Sequence, residues 1–378
     1  KNGTQIDWPA LMRFKKSFTD PVPDHQLKRF SKAGIESFQQ RARFVDQTSL
    51  QVGNDIFTAR HFVIAAGAMP AMLNIPGEEH LITSTQFLEL EALPQRIIFV
   101  GGGYIAFEFA HVSARAGAQA QILHRGARPL ERFDADLVDQ LVNATREIGV
   151  DVHVKTAVEE VEKRSKGYVV HASTGNGRAS FEADLVVHAA GRVPEIEDLD
   201  LDKAAVKWER RGVVVNEYLQ SVSSPAVYAA GDAAASGGVA LTPVASVEGQ
   251  VVGSNLLKGN HLKPDYSGTS SVLFTVPPLA SVGLLEDTAR KRGLKFKTNY
   301  KNTSAWYSSR RVAVKYSGFK TLIEEGTDRI LGAHLLGPHA EEVINLFAMA
   351  IRFELRPVDI KKMIWAYPTS SSDISYML

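Results

Sequence analysis

The residues whose spacing suggests chemistry lie between Arg96 and Arg125, in RIIFVGGGYIAFEFAHVSARAGAQAQILHR. An apolar run, Ile97 to Val100, stops at three glycines; an amphipathic stretch follows, then a second apolar run, Ala120 to Leu123. This pattern predicts strand, tight turn, helix, strand. The turn reads Gly101-x-Gly103-x-x-Ala106. Gly101 allows the sharp turn, Gly103 lets a pyrophosphate approach the backbone, and the small Ala106 lets helix and strand pack closely. Uncapped N–H groups and a partial positive charge at the helix start favour phosphates there. Tyr104 and Ile105, inside the motif, belong to the same candidate set. A glycine fingerprint alone is weak, and a plain strand–helix turn is the competing reading. The flanking pattern favours a dinucleotide site.

The end of the second strand bears on which dinucleotide. An NAD site asks for Asp or Glu about 20 residues on, to hold the ribose 2′-hydroxyl. This chain has His124 there, followed by Arg125, Gly126, Ala127 and Arg128. No carboxylate is available, and two guanidiniums are. Arginine offers a planar fork to phosphate oxygens, so a 2′-phosphate is the better guest. NADP(H) is expected over NAD(H), with Arg125 and Arg128 as candidate ligands. Two surface arginines following a strand are the alternative.

The elements that must position these residues belong to a chain of 378 residues, a length for two or three domains. A hydrophobic content of 44% and a charged content of 22% suit a soluble globular protein, expected in the cytoplasm. A formal charge of +1 gives no electrostatic case for nucleic acid or an anionic membrane. No apolar run approaches the ~20 residues of a membrane span, and the first residues lack the apolar core of a signal peptide. With no cysteine, disulfide scaffolds and Cys-based zinc sites are excluded. The eleven histidines do not cluster at ligand spacing, and no metal is expected.

In chain order, a helix is expected around Trp8–Phe18, then short strands through residues 34–52. His61 to Ala66 reads as a buried strand ending at Gly67, where Gly and Pro punctuate a crossing between domains. A helix opens near Asp134 with Leu137, Leu141 and Ile148 on one face. A strand (150–154), a hairpin (158–162 and 168–171) and a strand (184–189) follow, the last ending at Gly191. Residues 212–231 read as a strand pair closing on Gly231-Asp232, and Thr242-Pro243 starts a helix with Thr at the N-cap and Pro at N1. From about Ser271, SVLFTV, RVAVKY and FKTLIEE alternate like antiparallel strands. The helix within 337–352 is apolar nearly all round, which fits a subunit interface or an ordinary core helix.

These pieces in this order resemble the flavoprotein disulfide reductases, the family of glutathione reductase, dihydrolipoamide dehydrogenase and mercuric reductase. VIAAGAMPAMLNIPG, GGGYIAFE, HAAGRVP, VYAAGDAA…LTPVA, VPPLASVGLLE and YPTSS each match a family landmark. The resemblance implies an α/β fold: a Rossmann-like NAD(P)-binding domain (79–205) inserted in an incomplete FAD-binding domain (1–78 and 206–265), plus an α+β C-terminal interface domain (266–378). It implies FAD and NADP as cofactors, a small-molecule substrate, and a homodimer with shared active sites. By the resemblance, Asp232 hydrogen-bonds the FAD ribityl chain, with Gly231 beside it, and Thr242 starts the helix facing the flavin pyrimidine. Ala42 contacts the adenine side, while Gly67 and Gly191 lie at the two crossovers. Tyr104 covers the flavin until nicotinamide displaces it, Glu108 lies beside the nicotinamide, and Arg125 holds the 2′-phosphate.

Three departures qualify the resemblance. The family's FAD fingerprint and redox-active Cys-x4-Cys are not in this sequence, so roughly the first half of the FAD domain is expected to be missing rather than altered. Truncation is the simpler expectation, since a naturally shortened protein would expose an unpaired sheet edge and an uncovered core. The family's second phosphate arginine is Glu131 here, with Arg132 next to it. At the position of the proton-donating His stands Tyr367, with Ser372 at the position of its Glu partner and Asp373 one further. A tyrosine with an ordinary pKa near ~10 shuttles protons poorly at neutral pH. The leading expectation is an NADPH-dependent flavin oxidoreductase acting on a disulfide-type acceptor, inactive in dithiol chemistry as the chain stands. The alternatives are a family member reducing a quinone or oxygen, and an inactive NADP-binding dimer scaffold.

Overall fold

In the computed structural model, which describes residues 6–378, the apolar run Arg96–Val100 is an inner strand of a four-stranded parallel sheet. The order is Leu185–His188, Arg96–Val100, Gln119–Leu123, Val150–His153, each pair parallel. Parallel strands joined by helices are covered on both faces, which is why these read as continuous apolar runs. Ile97 and Phe99 face one core with Phe107, Ile122 and Leu137; Ile98 and Val100 face another with Leu123, Val161 and Val186. The expected helices form as Tyr104–Arg115 and Ala135–Glu147. Asp134 caps the second, accepting the N–H groups of Asp136 (3.1 Å) and Leu137 (3.3 Å). The expected hairpin, Thr156–Lys163 and Tyr168–Thr174, gains a third strand, Gly177–Ala183, that the sequence did not announce. Trp8, on the helix Trp8–Thr19, belongs to this unit: it packs edge-on against Phe87 and donates from Nε1 to Leu90 O at 2.8 Å.

The same compact unit carries the C-terminal residues from 267 onward. Their five-stranded antiparallel sheet has the order Ser270–Leu273, Leu279–Gly283, Ile330–Leu336, Gly318–Glu324, Phe296–Asn302. The strand expected at RVAVKY does not form. Arg311–Tyr316 is a turn after the short helix Tyr307–Arg310, with Ala313 at φ +54°. The helix Ala340–Arg352 lays Val343, Ile344, Phe347 and Ala350 on the sheet, while Met349 stays exposed. Within one chain it is therefore a core helix on one face and apolar on another.

Lys320, 5% exposed, is enclosed by three carboxylates: Asp134 at 2.9 Å, Asp136 at 2.5 Å and Glu286 at 3.1 Å. Burial opposes the lysine's charge, but the surrounding carboxylates outweigh it and hold the ammonium form well above its ordinary range. His334 lies in the same neighbourhood, bonded to Ser281 Oγ (2.7 Å) and Leu284 O (3.1 Å), and burial drives its pKa down to about 4.

A second unit comprises 13–72 and 191–266. It holds a three-stranded antiparallel sheet (Ala42–Phe44, Ser49–Val52, Asp55–Thr58), a parallel pair (Phe62–Ile64 with Val227–Ala229) and the pair Ala68–Pro70 with Arg192–Pro194. The strand pair expected within 212–231 is re-partnered. Gly212–Val213 pairs with Trp208–Glu209, and Val227–Ala229 takes the buried strand Phe62–Ile64 instead, because their apolar faces meet in one core. The helix Thr242–Lys258 starts one residue earlier than expected: Leu241 is the N-cap, Thr242 is already helical and makes no capping bond, and Pro243 sits in the first turn. The helix Val22–Lys32 has no buried residue at all.

Candidate functional site

The glycine turn takes the shape its residue types require. Gly101 has φ +125°, and a Cβ there would come within 2.1 Å of Ala189 O, so only glycine fits. Gly103 is different in kind. Its φ of −101° suits any residue, and a Cβ would meet nothing within 4 Å. Open space at this position, at the uncapped start of a 12-residue helix, is what an approaching phosphate needs. Ala106 is fully buried against the sheet, while Tyr104 and Ile105 are half-buried.

The loop after the second strand is built around His124. Its ring lies where a Cβ on Gly102 would touch it at 2.6 Å, and its Nε2 donates to Arg128 O at 2.9 Å. Leu130 N–H donates to Gly102 O at 2.9 Å, tying this loop to the glycine turn. Arg125 is exposed, whereas Arg128 is half-buried with a buried Nε–H that has no partner. Buried donors are almost always paired, so an orphan beside a phosphate cradle fits an anion. Glu131 and Arg132 are exposed.

Tyr104 and Glu108 project from the same helix face. Tyr104 lies 5.4 Å from the Phe133 ring and bonds Ser271; burial raises its pKa. Glu108 accepts Phe274 N–H at 2.9 Å, and burial likewise raises its carboxyl. One and two turns further along, His111 and Arg115 also reach the 274–276 segment; in the sequence they read only as polar residues on an amphipathic helix.

In the second unit, Gly67, Gly231, Asp232 and Thr242, predicted separately, line one cavity of about 540 Å³. That is the size of a cofactor site. A Cβ at Gly67 would meet nothing within 4 Å, leaving a flat group free to lie against the backbone. These residues fit a flavin. Sequence reasoning missed Glu248, which is 1% exposed and holds the cavity loop: it accepts from Gly231 N–H, Ser236 Oγ–H and Tyr266 Oη–H, each at 2.6 Å. The only signal was a lone carboxylate in the apolar helix stretch VASVEGQVV. Gly191 and Ala42 do not line the cavity: Gly191 is exposed at φ +115°, and Ala42 pairs with Val52 in the antiparallel sheet.

At the tail, Tyr367 is 81% exposed. Ser372 and Thr369 cap one another, and Asp373 accepts from Ser308 Oγ–H at 2.5 Å with its carboxyl raised by burial. Both candidate partners of Tyr367 are thus engaged elsewhere. Among the described residues no group of three or more His, Asp or Glu could hold a metal, and no helix is long and apolar enough to cross a membrane.

Comparison with known proteins covers most of the chain. The family model for pyridine nucleotide-disulphide oxidoreductases matches residues 15–249, and the model for their dimerisation domain matches 269–378. A mercuric reductase from Staphylococcus aureus is 31% identical over 347 residues, covering 90% of this chain and 62% of that protein, so the chain spans under two thirds of that relative. A glutathione reductase from Burkholderia cepacia is 31% identical over 378 residues, covering 98% of this chain and 81% of its own length. Among solved structures, the HOCl-induced flavoprotein disulfide reductase RclA from Escherichia coli superposes with a TM-score of 0.89 at 26% identity, covering 98% of this chain and 86% of that one.

Proposed function

We propose that this chain, which belongs to the pyridine nucleotide-disulphide oxidoreductase family, works as an NADPH-dependent FAD oxidoreductase. In this reading NADPH would supply the electron pair, bound FAD would carry it, and a disulfide-type acceptor would receive it. The observation that carries the nucleotide choice is the orphan Nε–H of Arg128, beside Arg125 and a glycine turn with no carboxylate at the ribose position. Gly103 admits the pyrophosphate, the helix start that follows it supplies N–H groups, and Arg125 and Arg128 take the 2′-phosphate. Tyr104 and Glu108 border the nicotinamide end. In the second unit Asp232 accepts sugar hydroxyls, and the uncapped start of the helix at Thr242 favours negative charge on the ring system. When bound, FAD supplies the two-electron chemistry that no side chain here can perform.

The match of 269–378 to a dimerisation domain supports a homodimer with shared active sites. Its surface suits one: Met349, Phe353, Met363 and Ile364 are all exposed apolar residues. A second reading, reduction of a quinone or oxygen, is favoured by one observation: Ser372 and Asp373, the candidate partners of Tyr367, bond instead to Thr369 and Ser308.

Anaerobic mixing of the protein with added FAD and NADPH tests the proposal. The visible flavin band is expected to bleach faster than in a protein-free control, and faster with NADPH than with NADH. Bleaching at the protein-free rate would contradict the reading.

A further inference from the structure

Four polar residues recur along one face of the glycine-turn helix at i, i+4, i+7 and i+11: Tyr104, Glu108, His111 and Arg115. All four bond to one short segment, residues 271–276. The first two are the residues assigned above to the nicotinamide end. The last two have no role in that assignment.

The protons can be placed at His111. Thr145 Oγ1–H donates to Leu141 O at 2.8 Å, which uses its only proton. The 2.9 Å contact between His111 Nε2 and Thr145 Oγ1 therefore has Nε2–H as donor. Nδ1 is then a bare acceptor, and it takes Val276 N–H and Arg115 Nη1–H, each at 3.3 Å. Arg115 Nη1 also donates to His111 O at 3.1 Å, and Nη2 to Val276 O at 3.1 Å. His111 is 2% exposed, and burial, reinforced by the Arg115 charge, drives its pKa down to about 3, so this tautomer persists throughout the neutral range.

The pair thus grips both backbone groups of Val276, although the Val276 and Phe274 side chains are themselves 56% and 66% exposed. Side chains that exposed supply little packing to fix a loop. Two residues upstream, the same loop aims Phe274 N–H at the Glu108 carboxylate. We propose that His111 and Arg115 are positioning residues for Glu108: by clamping Val276 they fix the Phe274 N–H that holds this carboxylate at the nicotinamide end. The proposal rests on the placement of Glu108 given under Proposed function. The other ionisable groups along this face are Tyr104, whose phenol feels Glu108, and Arg132, whose charge acts on Tyr104.

The clamp predicts a direction. Burial raises the Glu108 carboxyl and the Phe274 N–H opposes that rise by favouring the anion. Loosening the loop removes the opposing effect, so the carboxyl titrates at still higher pH. NADP⁺ affinity measured across pH in the intact chain should therefore show a midpoint at higher pH in Arg115→Met than in wild type. Glu108→Gln should lack that transition while keeping any contributed by the nucleotide phosphate. An unshifted midpoint in Arg115→Met, with the transition absent from Glu108→Gln, overturns the positioning role. A transition that survives Glu108→Gln overturns instead the placement of Glu108 beside nicotinamide. Amide hydrogen exchange decides the clamp without any nucleotide. In wild type, Phe274 and Val276 should exchange slowly, and in Arg115→Met about tenfold or more faster. Fast exchange of both amides in the wild type, which needs no variant to fold, overturns the proposal.

Discussion

Lys320→Met is expected to destabilise the fold by about 3–5 kcal/mol at neutral pH, the range for breaking a buried ionic cluster from one side. The buried stem keeps its volume in this variant, so packing changes little. What is lost, among the described residues, is the only cation within reach of Asp134, which is 3% exposed, and one of two cations on Glu286. The pH dependence follows from the shifts. Glu286 is depressed: burial would raise it, but hydrogen bonds from Arg290 and Lys320 outweigh that effect. A depressed carboxylate contributes stability that is present above its unfolded pKa and disappears as pH falls through the lower, folded value. Lys320 is raised, so its contribution is complete below its unfolded pKa and fades only in strong alkali. Wild type therefore holds the full contribution between about pH 5 and 10. In the variant Glu286 loses the Lys320 hydrogen bond that helps depress it and protonates more readily. The difference between the two proteins should then shrink as pH drops below about 5. Urea unfolding at pH 7 and pH 4.5 checks both features. A loss under about 1 kcal/mol at pH 7, or one that stays constant with pH, contradicts the account.

Arg125→Ala is expected to raise the KM for NADPH by about ten- to a hundredfold and to leave that for NADH almost unchanged. A charge-assisted bond to phosphate accounts for about 1.5–3 kcal/mol, and 1.36 kcal/mol is a factor of ten. Arg125 is exposed, so it meets phosphate as a surface ligand whose removal leaves no buried group stranded. The fold should be unaffected, and the whole effect should appear in binding. Arg128→Ala should act in the same direction. Steady-state kinetics with both nucleotides separate a phosphate ligand from a general one. Equal effects on NADPH and NADH would remove the basis for the NADP assignment.

The glycine turn was legible in the sequence because its geometry leaves no choice of residue. At Gly101 a positive φ and a carbonyl within 2.1 Å of any Cβ exclude all else, and the buried sheet forces continuous apolar strands on either side. Elsewhere period-two alternation misled. RVAVKY alternates as a strand does but is a turn, whereas the actual edge strand Phe296–Asn302, FKTNYKN, is mostly exposed and so too polar to stand out. Edge strands carry polar residues because one side faces water, which removes the signal that marks inner strands. Thr242-Pro243 located the helix correctly and its cap wrongly by one residue, since Leu241 can fill the cap through its extended backbone alone. Glu248, His111 and Arg115 left little or no mark in the sequence. Each looks like a solvated residue on a helix until the fold brings Gly231, Thr145 or Val276 against it.

A crystal structure of the chain with NADP⁺ bound tests the central claim most directly. The account predicts the pyrophosphate against Gly103 at the start of the helix Tyr104–Arg115, with the 2′-phosphate between Arg125 and Arg128. The buried Nε–H of Arg128, which has no partner within the chain, would then donate to a phosphate oxygen. A nucleotide seated elsewhere, or a 2′-phosphate in solvent with that Nε–H still unpartnered, would contradict it.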